Sequence, residues 1–147
     1  MDFNLGLLGA SVVLGLSAIG SGIGAGIAGT AVIGAWKRCY LANKPAPMTM
    51  VAFGGAPLTQ TFYGFILGLL FMKPAAIANP ENGIFYLGLG IAAGCAIGYS
   101  AVVQGMAGAS GADALGSTDK GFANYMMIVG ICETVAIFVM VLSMISL

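Results

Sequence analysis

One acidic residue, Glu133, lies inside a long apolar stretch of this 147-residue chain. It is the thirteenth of the 27 residues from 121 to 147, which carry no other charge. A carboxylate in the middle of a lipid bilayer costs about 2.5–3.5 kcal/mol on insertion scales, so such a residue is a candidate functional site. Burial favours its neutral form, whereas a bound cation would keep it ionised. Glu133 is therefore predicted to hold one positive charge reversibly, and the alternative is a buried structural hydrogen bond.

The other strongly polar side chains inside the apolar segments are those of Thr59, Gln60 and Gln104, with Tyr63 one helical turn from the first two. A protonated carboxyl needs a single hydrogen-bond acceptor, and two amides, a hydroxyl and a carboxylate exceed that need. Neutral oxygens around one anion suit a hard cation of low charge, by analogy with the oxygen preference of other hard ions.

Pro57 and the serines complete the polar features. Because Pro57 has no N–H and disturbs the preceding turn, it is predicted to free a backbone carbonyl between positions 53 and 56 for a ligand. Serine hydroxyls inside a helix can bond a carbonyl one turn back. We expect this arrangement within one helix for Ser11, Ser17, Ser21, Ser100 and Ser143.

The composition identifies the elements that must position these side chains. Hydrophobic residues make up 59% of the chain and charged residues 7%, against about 25% charged in a soluble domain. Five basic and five acidic residues cancel, which leaves no basic patch for nucleic acid. The chain is therefore predicted to be an all-α membrane protein, because backbone groups in lipid must be satisfied within each segment.

Four transmembrane helices follow from the spacing of the charges. The runs 3–36, 45–72 and 82–112 carry no charge, and about 20 apolar residues span a bilayer. The predicted helices cover 4–36, 48–72, 83–113 and 121–146. They form two hairpins, over residues 1–75 and 76–147.

An internal repeat relates the two hairpins. The segment 21–29 resembles 100–108, with four of nine positions identical, and 59–61 corresponds to 132–134. The match puts Gln60 opposite Glu133. Duplication of one helical hairpin is the simple explanation.

The basic residues predict the orientation. The loops 37–47 and 114–120 hold four of them and the loop 73–82 holds one. By the positive-inside rule the first and third loops are cytoplasmic, and both termini of this multi-pass cell-membrane protein lie outside, with Trp36 and Tyr40 as interfacial anchors.

The first helix is rich in glycine. Its G-x-G-x-x-G pattern at 24–29 lacks the strand, the following helix and the acidic residue of a dinucleotide site. Close helix packing in lipid is the favoured interpretation. We expect packing between copies of the chain at Gly20, Gly22, Gly24, Gly26 and Gly29.

Taken together, these motifs resemble the rotor-ring proteolipid of V-type (V/A-type) ATPases, and most closely the bacterial sodium-transporting branch. The resemblance covers essentially the whole chain. It implies that Na⁺ is bound by side-chain oxygens of Glu133, Thr59, Gln60 and Gln104 and by the Ala56 carbonyl. It also implies that Tyr63 hydrogen-bonds the glutamate.

The resemblance further implies a rotary mechanism without a catalytic site in this chain. Identical subunits would form a ring in the lipid, each carrying one ion on Glu133. An arginine of a stator membrane subunit would displace the ion, and central-stalk subunits would meet the loops 37–47 and 114–120. H⁺ in place of Na⁺ is the alternative cargo.

Two other classes of function share some of these features. A small proton-coupled antiporter also has four helices and one essential membrane glutamate, but that glutamate lies in helix one, where this chain has no acid. A membrane enzyme is less favoured because the chain has no histidine and its three cysteines lack metal-site spacing.

Overall fold

Four long helices make up the computed structural model, which describes residues 4–147. Helix α1 spans Leu5–Leu41, α2 Met48–Ala78, α3 Gly83–Thr118 and α4 Phe122–Ile145. All four are long and apolar enough to cross a membrane, and no strand occurs between residues 4 and 147. The predicted all-α membrane fold is confirmed.

Three helices extend beyond the predicted ends. Helix α1 continues from 36 to 41, α2 from 72 to 78 and α3 from 113 to 118. The prediction ended each helix at its first charge, since a charge marks the edge of the hydrocarbon. A helix does not have to end there, because its backbone remains hydrogen-bonded while long charged side chains reach water from its surface. The connections are short as a result.

Helices α1 and α3 form the central pair and run parallel. Gly9 lies beside Gly90 at one end of the pair, and Gly24 lies beside Gly105 further along. An added Cβ on Gly24 would overlap the backbone of Ala101, so only glycine allows this separation. Helices α2 and α4 flank the pair, and α4 has few buried residues.

The glycines predicted to pack between copies divide between two faces of α1. Gly20 and Gly24 face α3 of the same chain, where a Cβ on Gly20 would overlap Gly98. For these two the prediction is corrected, since α3 covers them. Within residues 4–147 nothing lies within 4 Å of a Cβ placed on the other three, Gly22, Gly26 and Gly29.

Buried apolar side chains form two clusters along the bundle. One contains Leu67, Tyr86 and Ile97, and the other contains Phe53, Met50 and Leu115. Two ion pairs at one end of the bundle tie α1 and the following loop to the end of α3. The pairs are Arg38–Asp113 and Lys44–Asp119, the latter at 3.2 Å.

Candidate functional site

Helix α2 is irregular on both sides of the segment that carries the polar residues. At Pro57, which cannot donate a backbone hydrogen bond, the helix tightens to a 3₁₀ turn over Ala56–Leu58. It is α-helical over Thr59–Phe65 and widens to a π-helix over Ile66–Met72. Such π-helical segments are rare in proteins, and those that occur are often found at functional sites. The segment of α2 that carries Thr59, Gln60 and Tyr63 therefore lies between a 3₁₀ turn and a π-helix.

Side chains from two other helices reach the carboxylate of Glu133 on α4. The Tyr63 hydroxyl of α2 donates a hydrogen bond to Oε1. The Gln104 amide of α3 donates from Nε2 to Oε2 at 3.3 Å. Glu133 itself is half-buried, so its other side faces the surroundings of the chain.

A chain of amide and hydroxyl groups continues from the carboxylate into the bundle. Gln60 Nε2 donates to Gln104 Oε1 at 2.8 Å, and both glutamines are fully buried. The Thr59 hydroxyl lies 3.2 Å from Gln60 Oε1 and 3.0 Å from the Ala56 carbonyl oxygen. These are hydrogen-bonding distances, so the polar groups satisfy one another in an apolar interior.

The structure thus brings together the side chains that the sequence singled out. Thr59, Gln60, Tyr63, Gln104 and Glu133 lie in one hydrogen-bonded series across α2, α3 and α4. The Ala56 carbonyl joins the series through Thr59, as the 3₁₀ turn at Pro57 places it there. Their roles as ion ligands stay predictions.

The carboxylate is surrounded by neutral donors. The ion pairs found among residues 4–147 lie at the end of the bundle, and neither of them includes Glu133. An ionised glutamate in this position carries a net charge that the described part of the chain does not compensate. The arrangement can therefore be neutralised by a proton or by a cation that comes from outside the chain.

One contact beside the site differs from the sequence prediction. Ser100 Oγ donates to the Cys132 carbonyl of α4 at 2.7 Å, so the prediction that this serine bonds within its own helix is wrong. Ser17 does bond its own helix, through the Val13 carbonyl at 2.7 Å. The available signal was the spacing, since a serine four positions before Gln104 lies on the same face of α3.

Residues 87–146, which cover most of α3 and α4, match the family of the ATP synthase C subunit. The chain is also similar to A-type ATP synthase subunit K of Methanocaldococcus jannaschii, with 33% identity over 144 residues, 97% of this chain and 61% of that relative. It therefore spans about three-fifths of the length of this relative.

These similarities agree with the proteolipid resemblance at the level of the family. The c/K subunits of ATP synthase are non-catalytic and form a ring within that enzyme. The assignment to the sodium-transporting branch stays a prediction, as does the identity of the ion.

Proposed function

We propose that this chain is a rotor-ring proteolipid of an A/V-type ATP synthase and that it carries one Na⁺ on Glu133. The observation that supports this most is the single membrane carboxylate in contact with a buried series of amides and hydroxyls. Such a set offers several neutral oxygens to one hard cation. Cation binding would make the site net neutral and allow it to face lipid.

The proposed ligands require one local rearrangement. Gln104 turns Nε2 toward Glu133 and Oε1 toward Gln60, so its amide must rotate to give an oxygen to a cation. Thr59 and the Ala56 carbonyl are already adjacent and would supply two more oxygens. Tyr63 would hold the carboxylate by its hydroxyl without binding the ion.

Rotation and ion passage are coupled by neutralisation in this proposal. An empty, ionised Glu133 meets the cost of a charge in lipid, so a ring position moves into the bilayer only when loaded. A stator subunit with an arginine would displace the ion. Because the first hairpin has Gln60 in place of a carboxylate, one ion is carried per four helices, which lowers the ions moved per ATP and favours pumping over synthesis.

The proposed orientation places both termini outside. The loop after α1 and the end of α3 lie at one end of the bundle, where Lys44 pairs with Asp119. Basic residues of the loops 37–47 and 114–120 therefore share one side of the membrane, as the positive-inside rule requires for a cytoplasmic face. Central-stalk subunits would contact this face.

Carbodiimide labelling tests the ion. The reagent attacks protonated carboxyls, so labelling of Glu133 in the purified protein should fall as Na⁺ is added at fixed pH. K⁺ at equal ionic strength is the control and should not protect. Labelling that follows pH alone would replace Na⁺ by H⁺ as the cargo.

The mass of the native assembly tests the ring. We expect a large homo-oligomer in mild detergent, with the exposed face of α1 that contains Gly22 and Gly26 at the contact between copies. A dimer would contradict the rotor proposal and favour the antiporter.

A further inference from the structure

We propose that Ser100 is a positioning residue, which fixes the register of α4 on α3 so that Glu133 faces the buried amides. This inference rests on the proposed function, because it concerns the same cation site. Ser100 touches neither the carboxylate nor the amide series, and it acts through the backbone of Cys132, the residue before Glu133.

Two hydrogen bonds between side chain and backbone join α3 to α4 at the level of the site. Ser100 Oγ donates to the Cys132 carbonyl at 2.7 Å, and Gln104 Nε2 donates to the Val129 carbonyl at 3.1 Å. The two donors are one turn apart on α3, and the two acceptors are three residues apart on α4. The bonds therefore bracket the turn of α4 that ends in Glu133.

A pair of such bonds determines both the axial position and the rotation of a helix. A slip of one residue along a helix axis corresponds to about 1.5 Å and to a turn of about 100°, which would swing the carboxylate away from α3. Packing alone holds α4 weakly, since its buried residues are Val129, Ala136 and Ser143. Interhelical hydrogen bonds are one of the forces that associate helices in lipid, where no hydrophobic force acts between them.

The bond from Ser100 is also well protected. The residue is 4% exposed, so water does not compete for its hydroxyl. Its acceptor can take this bond in addition to the helical N–H, because a carbonyl oxygen has two lone pairs. Loss of the Ser100 hydroxyl leaves only the bond from Gln104 Nε2 to Val129, and the Gln104 amide must rotate away from that bond to offer an oxygen to a cation.

Ser17 provides a matched control. Its hydroxyl is similarly buried and makes a bond of the same length, 2.7 Å, but to Val13 of its own helix. Ser17→Ala therefore removes the same atom and the same kind of bond without affecting the contact between α3 and α4. A difference between the two variants isolates the interhelical contact.

The experiment measures carbodiimide labelling of Glu133 in the assembled protein during a Na⁺ titration. For Ser100→Ala the Na⁺ concentration that halves labelling should rise about threefold to tenfold, the effect of one ordinary hydrogen bond. Ser17→Ala should stay within about twofold of the wild type. Ser100→Thr keeps the hydroxyl and should restore most of the affinity, which a general packing defect would not allow.

The outcomes separate this inference from the proposed function. If Na⁺ protects the wild type and Ser100→Ala behaves like Ser17→Ala, the positioning role is wrong and the cation site stands. If Na⁺ fails to protect the wild type, the sodium proposal is wrong. The pH at which labelling of Glu133 is half-maximal is then compared in the same three variants, and a shift in Ser100→Ala but not in Ser17→Ala supports the positioning role. If Ser100→Ala does not assemble, a wild-type midpoint in Ser100→Thr supports the role of the hydroxyl and a shifted one contradicts it.

Discussion

The two hairpins share one plan and differ in how their helices are joined at the level of the site. In the second hairpin, Ser100 and Gln104 of α3 donate to backbone carbonyls of α4. The repeat puts Ser21 and Ala25 of α1 at the corresponding positions. Alanine cannot donate a hydrogen bond, so the first hairpin cannot repeat the contact made by Gln104.

Ser21 does not make the other contact either. Its side chain is 1% exposed, and within residues 4–147 its hydroxyl has no hydrogen-bond partner, so the prediction of a bond within its own helix is wrong. The carbonyl of Ala56, which corresponds to that of Val129, instead lies 3.0 Å from the hydroxyl of Thr59 in the same turn. The second hairpin thus joins its two helices through Ser100 and Gln104, whereas in the first hairpin the corresponding Ala56 carbonyl bonds within its own helix.

The largest effect is expected when Glu133 of the second hairpin is replaced by glutamine, the residue that the first hairpin has at the corresponding position, Gln60. Glu133→Gln should abolish Na⁺ binding, because neutral oxygens alone do not compensate the lost charge on the site. Equilibrium binding of radioactive Na⁺ to the purified protein measures this. Glu133→Asp, which keeps the charge on a shorter side chain, should bind Na⁺ more weakly but measurably.

Moving the carboxylate to the first hairpin should not restore binding. In the double variant Glu133→Gln with Gln60→Glu the charge lies at a fully buried position, whereas Glu133 is half-buried and can exchange its ion with the surroundings. Recovery of Na⁺ binding in the double variant would show that either hairpin can carry the carboxylate, which would contradict the proposed difference between them.

The next effect concerns equivalent glycines with different surroundings. Gly26 and Gly105 correspond in the repeat, yet a Cβ on Gly105 would overlap the backbone of Gly24, and nothing described lies within 4 Å of a Cβ on Gly26. Gly105→Ala should therefore lower the free energy of unfolding by about 1–3 kcal/mol, the cost of overpacking. Denaturant unfolding of the detergent-solubilised monomer measures it. Gly26→Ala is the control that should change little there, because the neighbour proposed for Gly26 is another copy of the chain.

Much of this fold could be predicted because four apolar segments must be helical in lipid. Gln60 and Glu133 are central in their segments, whereas the depth of Gln104 relative to Glu133 does not follow from the sequence; the structure joins all three side chains. The helix ends were less predictable. Lys37, Lys73 and Asp113 lie inside helices, since a charged side chain does not interrupt the backbone hydrogen bonds of a helix.

The details that sequence could not determine depend on which helix lies opposite. A buried serine can bond a carbonyl of its own helix or of a neighbour, and Ser17 and Ser100 do one each. Likewise, Gly20 and Gly22 each lie between Ser21 and an isoleucine, but Gly20 faces α3 and Gly22 faces outward. Which helix a residue faces depends on how the helices cross, and the local sequence pattern does not determine that.

A moderate effect is expected at Tyr63, which has no counterpart in the second hairpin because the repeat puts Ala136 there. Tyr63→Phe removes the donor to Glu133 and keeps the ring. Na⁺ affinity in the labelling assay should fall about tenfold, as for loss of a hydrogen bond to a charged group. Tyr99→Phe is the control, since Tyr99 is 71% exposed and lies on the outer surface. An unchanged affinity would show that the carboxylate needs no support from α2.

The smallest effect is expected at Ser21, the counterpart of Ser100. Removing a buried hydroxyl that has no partner costs no hydrogen bond and relieves the desolvation of an unsatisfied polar group, which is about 1–3 kcal/mol when it is not compensated. Ser21→Ala should thus leave the Na⁺ midpoint of labelling unchanged and leave the free energy of unfolding unchanged or slightly higher. Ser100→Ala should shift both in the unfavourable direction. Equal losses in the two variants would mean that Ser21 also bonds across helices and that both hairpins join their helices in the same way, so the proposed difference between the hairpins depends on this pair of serines.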